Sequence, residues 1–328
     1  MRNLRFWSAA PARNVEAVST PTVNVLRGLV ARATTPLLPD DYLKLLNPLW
    51  SARELRGLVV DVRRETEDSA TVTIKPGWGF CGDYQPGQYL GIGVRVGGCW
   101  HWRSYSLTSV PRRDKKLISI TVKATPEGFL SSHLVNGVEP GTVVRLAAPR
   151  GDFALPNPAP AKVLFVTAGS GITPVMAMAR TLLAQGHSGE IAFIHYARTP
   201  AEACYRDELA AMSRVRVLHG YTRSDDGDLT GRFGPEHLAA AMPSPDAVFV
   251  CGPTPLVEAV QSHCDNVYTE SFVPPVFLRS SDTLHENHPH THVPDFSSDR
   301  LQLCIGRDTT ILPTQNKRLA SHRHCRRD

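Results

Sequence analysis

Residues 162–179 read KVLFVTAGSGITPVMAMA: an aliphatic, β-branched run, a break at Gly169-Ser170-Gly171, then a second apolar stretch. The run at 162–168 lacks polar alternation, as a strand buried on both faces does. Glycines at 169 and 171 let the backbone approach an anion, and a helix opening behind them offers free N–H groups and a positive dipole end. Thr173 is placed to cap that helix and Pro174 suits its first position. Many G-x-G turns are only tight turns, so the surrounding chain decides what this one means.

Downstream the pattern repeats. EIAFIHYA (190–197), VRVLHGY (215–221), DAVFVCG (246–252) and NVYTESF (266–272) read as strands, with helices over 174–185, 202–212, 235–242 and 254–264. Apolar strands alternating with helices imply a doubly wound α/β domain with a parallel sheet covered on both faces. A G-x-G turn after the first strand of such a domain points to a nucleotide diphosphate.

Upstream, from about residue 55 to 148, short β-rich runs such as LRGLVVDVRRE, SATVTIKP, GQYLGIGVRV and KLISITVKAT succeed one another between Gly, Pro and Asp. Strands spaced this way suggest an all-β antiparallel barrel, with FLSSHLVNGV (129–138) as one helical exception. ALPNPAPA (154–161) reads as a proline-rich linker. The organisation expected is a helical extension at 1–50, a barrel at 51–155, a nucleotide-binding domain at 156–275, and at 276–328 a linker, a β remnant and a basic tail. Within 1–50, VNVLRGLVARA and DDYLKLLNPLW read as short helices packing on the downstream chain; a membrane-surface amphipathic helix is the alternative.

The 328 residues carry a formal net charge of +5, and 42% of them are hydrophobic. Residues 314–328 hold five Lys/Arg and one Asp, which leaves the rest of the chain at +1. Such a tail reads as a solvated end, or as a weak contact for an acidic partner or anionic lipid. With no membrane-length apolar run and no signal-peptide core at the start, a cytoplasmic protein is the expectation. Seven scattered cysteines without a C-x-x-C pair suggest neither a disulfide framework nor a zinc knuckle. His285, His288, His290 and His292 alternate on a Pro-containing linker and are assigned no metal.

A second polar cluster lies inside the barrel segment, at Arg103-Ser104-Tyr105-Ser106 with Leu107 and Thr108, followed by Gly128-Phe129-Leu130-Ser131. An Arg, an aromatic and a hydroxyl alternating on one strand suit a pyrophosphate clamp, a stacking surface and a hydrogen bond to a ring edge. Taken alone the cluster reads as a polar strand face; the nucleotide domain downstream reverses that preference in favour of binding.

Together the motifs P-G-Q-Y (86–89), R-S-Y-S (103–106), G-F-L-S (128–131), P-R-G-D-F (149–153), G-S-G-I-T-P (169–174), C-G-P (251–253) and E-S-F (270–272) resemble the ferredoxin–NADP reductase superfamily over residues 52–272. The resemblance implies an FAD-binding barrel followed by a nicotinamide-dinucleotide domain. It places Arg103 and Ser131, beside Gly128, at the FAD pyrophosphate, Tyr105 against the isoalloxazine, Ser106 near flavin N5, and Thr108 in the same cluster. It puts the dinucleotide pyrophosphate on Gly169, Ser170, Gly171, Thr173 and Pro174, and Cys251 beside the nicotinamide with Gly252 and Pro253 shaping the turn. Glu270 and Phe272 would close over the flavin, and Ser106, Cys251 and Glu270 form the catalytic set. A Cys at a strand end, as Cys251 is, is usually a small apolar filler, and hydride transfer asks for ring stacking rather than a nucleophile.

Arg198 and Arg206, after the second strand of the nucleotide domain, are candidates to pair with a 2′-phosphate, so NADPH is expected over NADH; Arg223 is a further candidate. The layout is similar to actinobacterial reductases that serve membrane fatty-acyl desaturases or oxygenases, which implies a one-electron acceptor protein as partner, ferredoxin included, and no nucleic acid. RLQLCIGRDTTIL (300–312) resembles the first strands of a plant-type ferredoxin domain. Cys304 and Cys325 have no companions to complete a C-x4-C-x2-C set, so no [2Fe–2S] cluster is expected in this chain. Two alternatives stay open: a flavin-binding remnant without productive electron output, and an NADPH-dependent free-flavin reductase.

Overall fold

The computed structural model describes residues 39–51, 53–111 and 117–272. The expected helix over VNVLRGLVARA (23–33), the His-rich linker, the β remnant and the basic tail lie outside the described residues. The chain divides into two compact units, Met1–Pro48 and Leu49–Asp328. In the first, helix α1 spans Pro39–Leu46 and so covers the first part of the DDYLKLLNPLW stretch (40–50) read as helical.

The second unit opens with β1 (Leu55–Thr66), β2 (Ser69–Pro76), β3 (Tyr89–Val96), β4 (Cys99–Ser106), β5 (Ile118–Lys123), helix α2 (Phe129–Asn136) and β6 (Val143–Leu146). These strands form an antiparallel sheet in the order β4-β3-β6-β1-β2-β5. Its ends meet where Leu107 bridges Ile120 and Thr108 N–H donates to Ser119 O at 2.8 Å, so the sheet curls into a barrel. Alternation along the strands turns Ala70, Val72 and Ile74 of β2 and Ile118, Ile120 and Val122 of β5 inward. Leu130, Leu134 and Val135 of α2 join that core.

The remainder is β7 (Lys162–Ala168), α3 (Ile172–Ala184), β8 (Glu190–Ala197), α4 (Arg206–Ala210), β9 (Val215–Tyr221), α5 (Pro235–Ala241), β10 (Ala247–Cys251), α6 (Thr254–His263) and β11 (Val267–Glu270). All five strands are parallel, in the order β11-β10-β7-β8-β9. One face buries Val163, Phe165, Phe193 and Phe249 under α3; the other buries Leu164, Val166, Ile194 and Val250 with Val260 of α6. This is the doubly wound sheet that the unbroken apolar runs imply.

Two local expectations need correction. The helix expected over 202–212 is a single turn at Pro200–Glu202 followed by the short α4, because Tyr205 takes a left-handed conformation (φ 60°) that interrupts it. Thr173 is not a cap: a tight turn at Gly169–Gly171 leads directly into α3 at Ile172, and the Thr173 hydroxyl donates back to Ser170 O at 3.0 Å. Pro174 therefore sits third in the helix, where its missing N–H still has no intrahelical acceptor.

Candidate active site

Strand order reverses at β7, since β8 and β9 lie to one side of it and β10 and β11 to the other. The carboxyl ends of β7 and β10 thus open a crevice of the kind where α/β sheets bind ligands. Gly169 provides the turn there with φ +55°, a conformation that favours glycine. Gly252, on the other side of the crevice, is needed for space instead: a Cβ there would press on Leu256 and Ala168.

A cleft of about 590 Å³ runs from this crevice along the barrel wall. Arg103, Tyr105 and Ser106 of β4, Thr121 and Lys123 of β5, the 125–131 turn into α2, Ser170, Thr173 and Phe272 all line it. The sequence-derived residues Arg103, Tyr105, Ser106, Gly128, Ser131, Ser170, Thr173 and Phe272 thus converge, although they span two sheets.

Several features of the cleft suit a flavin dinucleotide. Ser106 is 4% exposed and its Oγ has no hydrogen-bond partner among the described residues, so a buried hydroxyl is left for a ligand to satisfy. Tyr105 is partly buried at the cleft, and burial pushes its phenol well above the ordinary range. Ser131 Oγ donates to Gly128 O at 3.0 Å and accepts from Thr125 N–H at 3.2 Å, which holds the turn into α2 in shape. An Arg fork and the start of a helix beside a flat aromatic ring match the donor set that a pyrophosphate and an isoalloxazine need.

Behind the cleft, Cys251 of β10 is fully buried and registered between Thr167 of β7 and Glu270 of β11. Burial first, and then the neighbouring Glu270 wherever it is ionised, raises the Cys251 thiol well above its ordinary value, so it is no thiolate nucleophile. Glu270 is 6% exposed, its Oε2 has no partner among the described residues, and burial lifts its carboxyl to about 8. A neutral, proton-bearing carboxyl at pH 7 therefore stands at the carboxyl edge of the sheet.

Other expected residues lie elsewhere. Thr108 is fully buried, shares a 2.8 Å hydrogen bond with Ser119 Oγ and does not line the cleft. Gly169, Gly171, Pro174, Gly252 and Pro253 frame the crevice without lining the cleft. Arg198, at the end of β8, lies 3.8 Å from Glu202, and its carbonyl accepts the Arg223 N–H. Arg206 lines a separate cleft of about 310 Å³ with Arg63 and Arg64 of β1.

Sequence reasoning quoted Phe129 within G-F-L-S without giving it a role, and missed Lys123 and Thr125 at the main cleft. Phe129 is 47% exposed and its ring lies 4.8 Å from that of His101, an apolar surface at the rim. The signal was present, because an aromatic at the exposed start of a helix has no core to fill.

A barrel and a doubly wound sheet sharing one cleft define a two-domain, nucleotide-dependent oxidoreductase. Two family models agree: the oxidoreductase FAD-binding domain matches residues 82–155, and the oxidoreductase NAD-binding domain matches residues 165–262. The chain is 52% identical over 256 residues to the NADPH oxidoreductase of Mycobacterium tuberculosis, covering 76% of this chain and 66% of the relative. It is 27% identical over 265 residues to the reductase component of the propane 2-monooxygenase of Mycolicibacterium smegmatis, covering 74% of each. Among solved structures, the flavohem-like FAD/NAD-binding domain of the nitric oxide dioxygenase of Vibrio cholerae aligns with TM-score 0.60 and 27% identity, over 67% of this chain and 99% of that one. This chain carries an FAD-binding and an NAD-binding oxidoreductase domain, and its fold is that of ferredoxin–NADP reductases. It spans about half to two thirds of the length of the first of these relatives and of the flavohemoproteins it also matches. No helix among the described residues is long and apolar enough to cross a membrane.

Proposed function

We propose that this chain is a flavoprotein reductase in which residues 51–155 hold FAD, residues 156–275 hold NADPH, and electrons leave singly to a ferredoxin or to an oxygenase or fatty-acyl desaturase component. The observation that carries this reading is one cleft lined from two sides, by Arg103, Tyr105 and the unpartnered Ser106 hydroxyl of the barrel and by Ser170, Thr173 and Phe272 of the nucleotide-binding domain. The monooxygenase reductase component among its relatives supports the choice of acceptor.

Bound FAD converts a two-electron donor into single-electron deliveries. The residues bind, orient and exclude water. Arg103 and Ser131 grip the flavin pyrophosphate, Tyr105 offers its face to the ring, and Ser106 Oγ hydrogen-bonds the ring edge. The 169–174 turn takes the dinucleotide pyrophosphate, and Arg198 and Arg206 take the 2′-phosphate. Cys251, Gly252 and Pro253 keep the floor beneath the nicotinamide small and neutral, Phe272 covers the cleft, and Glu270 holds a proton on its carboxyl. Stacking two rings in a dry cleft supplies orientation, the main contribution a protein makes to such a transfer.

The test is the visible absorption spectrum of the purified protein before and after anaerobic addition of NADPH. Two flavin bands that bleach with NADPH support the reading. A colourless protein that cannot be reconstituted with FAD overturns it. Flavin lost on gel filtration, with activity restored by added FAD, makes flavin an exchanged substrate.

A further inference from the structure

The nucleotide-binding domain meets the barrel through a connected set of polar groups that take no part in the proposed cofactor contacts. Arg180 of α3 donates from Nε and Nη2 to the two carboxylate oxygens of Glu208 on α4, at 2.7 and 2.6 Å, and from Nη1 to the barrel carbonyl of Thr108 at 2.5 Å. Its guanidinium also lies over the Tyr205 ring, 4.9 Å from the centroid. The Tyr205 hydroxyl is hydrogen-bonded to Thr121 Oγ1 of β5. Thr121 in turn shares a 2.7 Å bond with Thr71 of β2, whose hydroxyl donates to Glu65 of β1 at 2.6 Å.

Three properties set this network apart from a casual contact. Tyr205, Thr121 and Thr71 are buried, where unpaired hydroxyls are costly, so each bond holds the next group in place. Tyr205 has a left-handed backbone (φ 60°), which for a bulky residue persists only where the surroundings over-determine it. Arg180 engages both domains with a rigid planar fork that lysine does not reproduce.

The network also ends at places that matter. Thr121 lines the main cleft, and Tyr205 immediately precedes Arg206, a residue read as meeting the dinucleotide 2′-phosphate. α3, which carries Arg180, begins right after the Gly169–Gly171 turn. We infer that Tyr205 and Arg180 are positioning residues, a clamp that fixes the nucleotide-binding domain against the cleft wall so that a dinucleotide held on one domain meets the flavin held on the other. The inference rests on the flavoprotein reading. Because ring-to-ring transfer falls steeply with misplacement, a clamp of this kind governs the limiting rate more than the affinity for either cofactor.

The experiment compares the full-length wild type with Tyr205→Phe, Arg180→Gln and Arg180→Lys. In cofactor-free protein, hydrogen exchange of the β5 amides is expected to quicken in all three variants. In FAD-loaded protein, rapid-mixing reduction by NADPH should show the limiting rate lowered about tenfold in Tyr205→Phe and Arg180→Gln, with the apparent dissociation constant for NADPH changed by less than about twofold and FAD content unchanged. Arg180→Lys, which keeps one donor but not the fork, should fall between. A limiting rate equal to wild type despite faster exchange overturns the inference, as does slower reduction explained wholly by lost FAD or weakened NADPH binding. Should these variants not fold, Thr121→Val removes the same bond from the barrel side and carries the same expectations. A wild type that takes up no FAD refutes the flavoprotein reading, whereas unchanged β5 exchange refutes the clamp; the two failures are separable.

Discussion

Gly171 packs so closely under the carbonyl of Cys251 that a Cβ at position 171 would collide with that carbonyl group and crowd the Gly252 nitrogen. The contact ties the turn after β7 to the turn after β10 across the point where strand order reverses. Gly171→Ala must therefore move backbone and should cost about 1–3 kcal/mol. Gly169→Ala meets nothing within 4 Å and pays only for its left-handed conformation, about 1 kcal/mol. Denaturant unfolding of the two variants checks this: equal losses would mean that the close approach at Gly171 is not what requires glycine there.

How much of this was legible in the sequence depends on whether neighbours along the chain are also neighbours in space. The parallel sheet was legible because Val163–Val166, Ile191–Ile194 and Ala247–Val250 are buried on both faces, which leaves an unbroken apolar run. The cleft was legible in part because β4 alone supplies Arg103, Tyr105 and Ser106. The clamp was not. Arg180 looks like a solvated helix arginine until Glu208, 28 positions on, and Thr108, 72 positions back, are brought to it. Nor does any local pattern announce a left-handed Tyr205, since tertiary contacts impose that conformation against propensity. The E-S-F motif places Glu270 at the site, but its burial comes only from packing.

Ser106 separates a structural from a chemical role cleanly. Its buried Oγ has no partner among the described residues, so Ser106→Ala should leave the stability of the cofactor-free protein unchanged or raise it by about 1 kcal/mol. Reduction of the bound flavin by NADPH should nevertheless slow by roughly 10–100-fold, the scale of one lost hydrogen bond to a group that gains charge. Thermal melts and rapid-mixing spectra check the two halves. A destabilised variant with normal reduction would make Ser106 a structural residue only.

Arg206 tests the choice between the two nicotinamide dinucleotides. A bidentate contact between a guanidinium and a 2′-phosphate contributes roughly 1.5–3 kcal/mol. Arg206→Ala should accordingly raise KM for NADPH by about tenfold or more and leave KM for NADH within about twofold. Steady-state kinetics with an artificial acceptor decide it. Equal effects on both dinucleotides would remove Arg206 from the 2′-phosphate, leaving Arg198 and Arg223, whose backbones are hydrogen-bonded side by side.

Glu270 gives the molecule a predictable response to pH. Burial raises its carboxyl from 4.5 to about 8, so the folded protein retains a proton that the unfolded chain releases. The stability tied to that proton is present in full below about pH 4.5 and is lost progressively as pH rises through about 8. Glu270→Gln has no proton to lose, and relative to wild type it should gain on the order of 3 kcal/mol at pH 7 and little at pH 4.5. Melting temperatures of both proteins between pH 4.5 and 8.5 test the sign: the difference must widen upward. A wild type whose stability is level across this range would mean that the carboxyl is hydrated in solution and carries no buried proton.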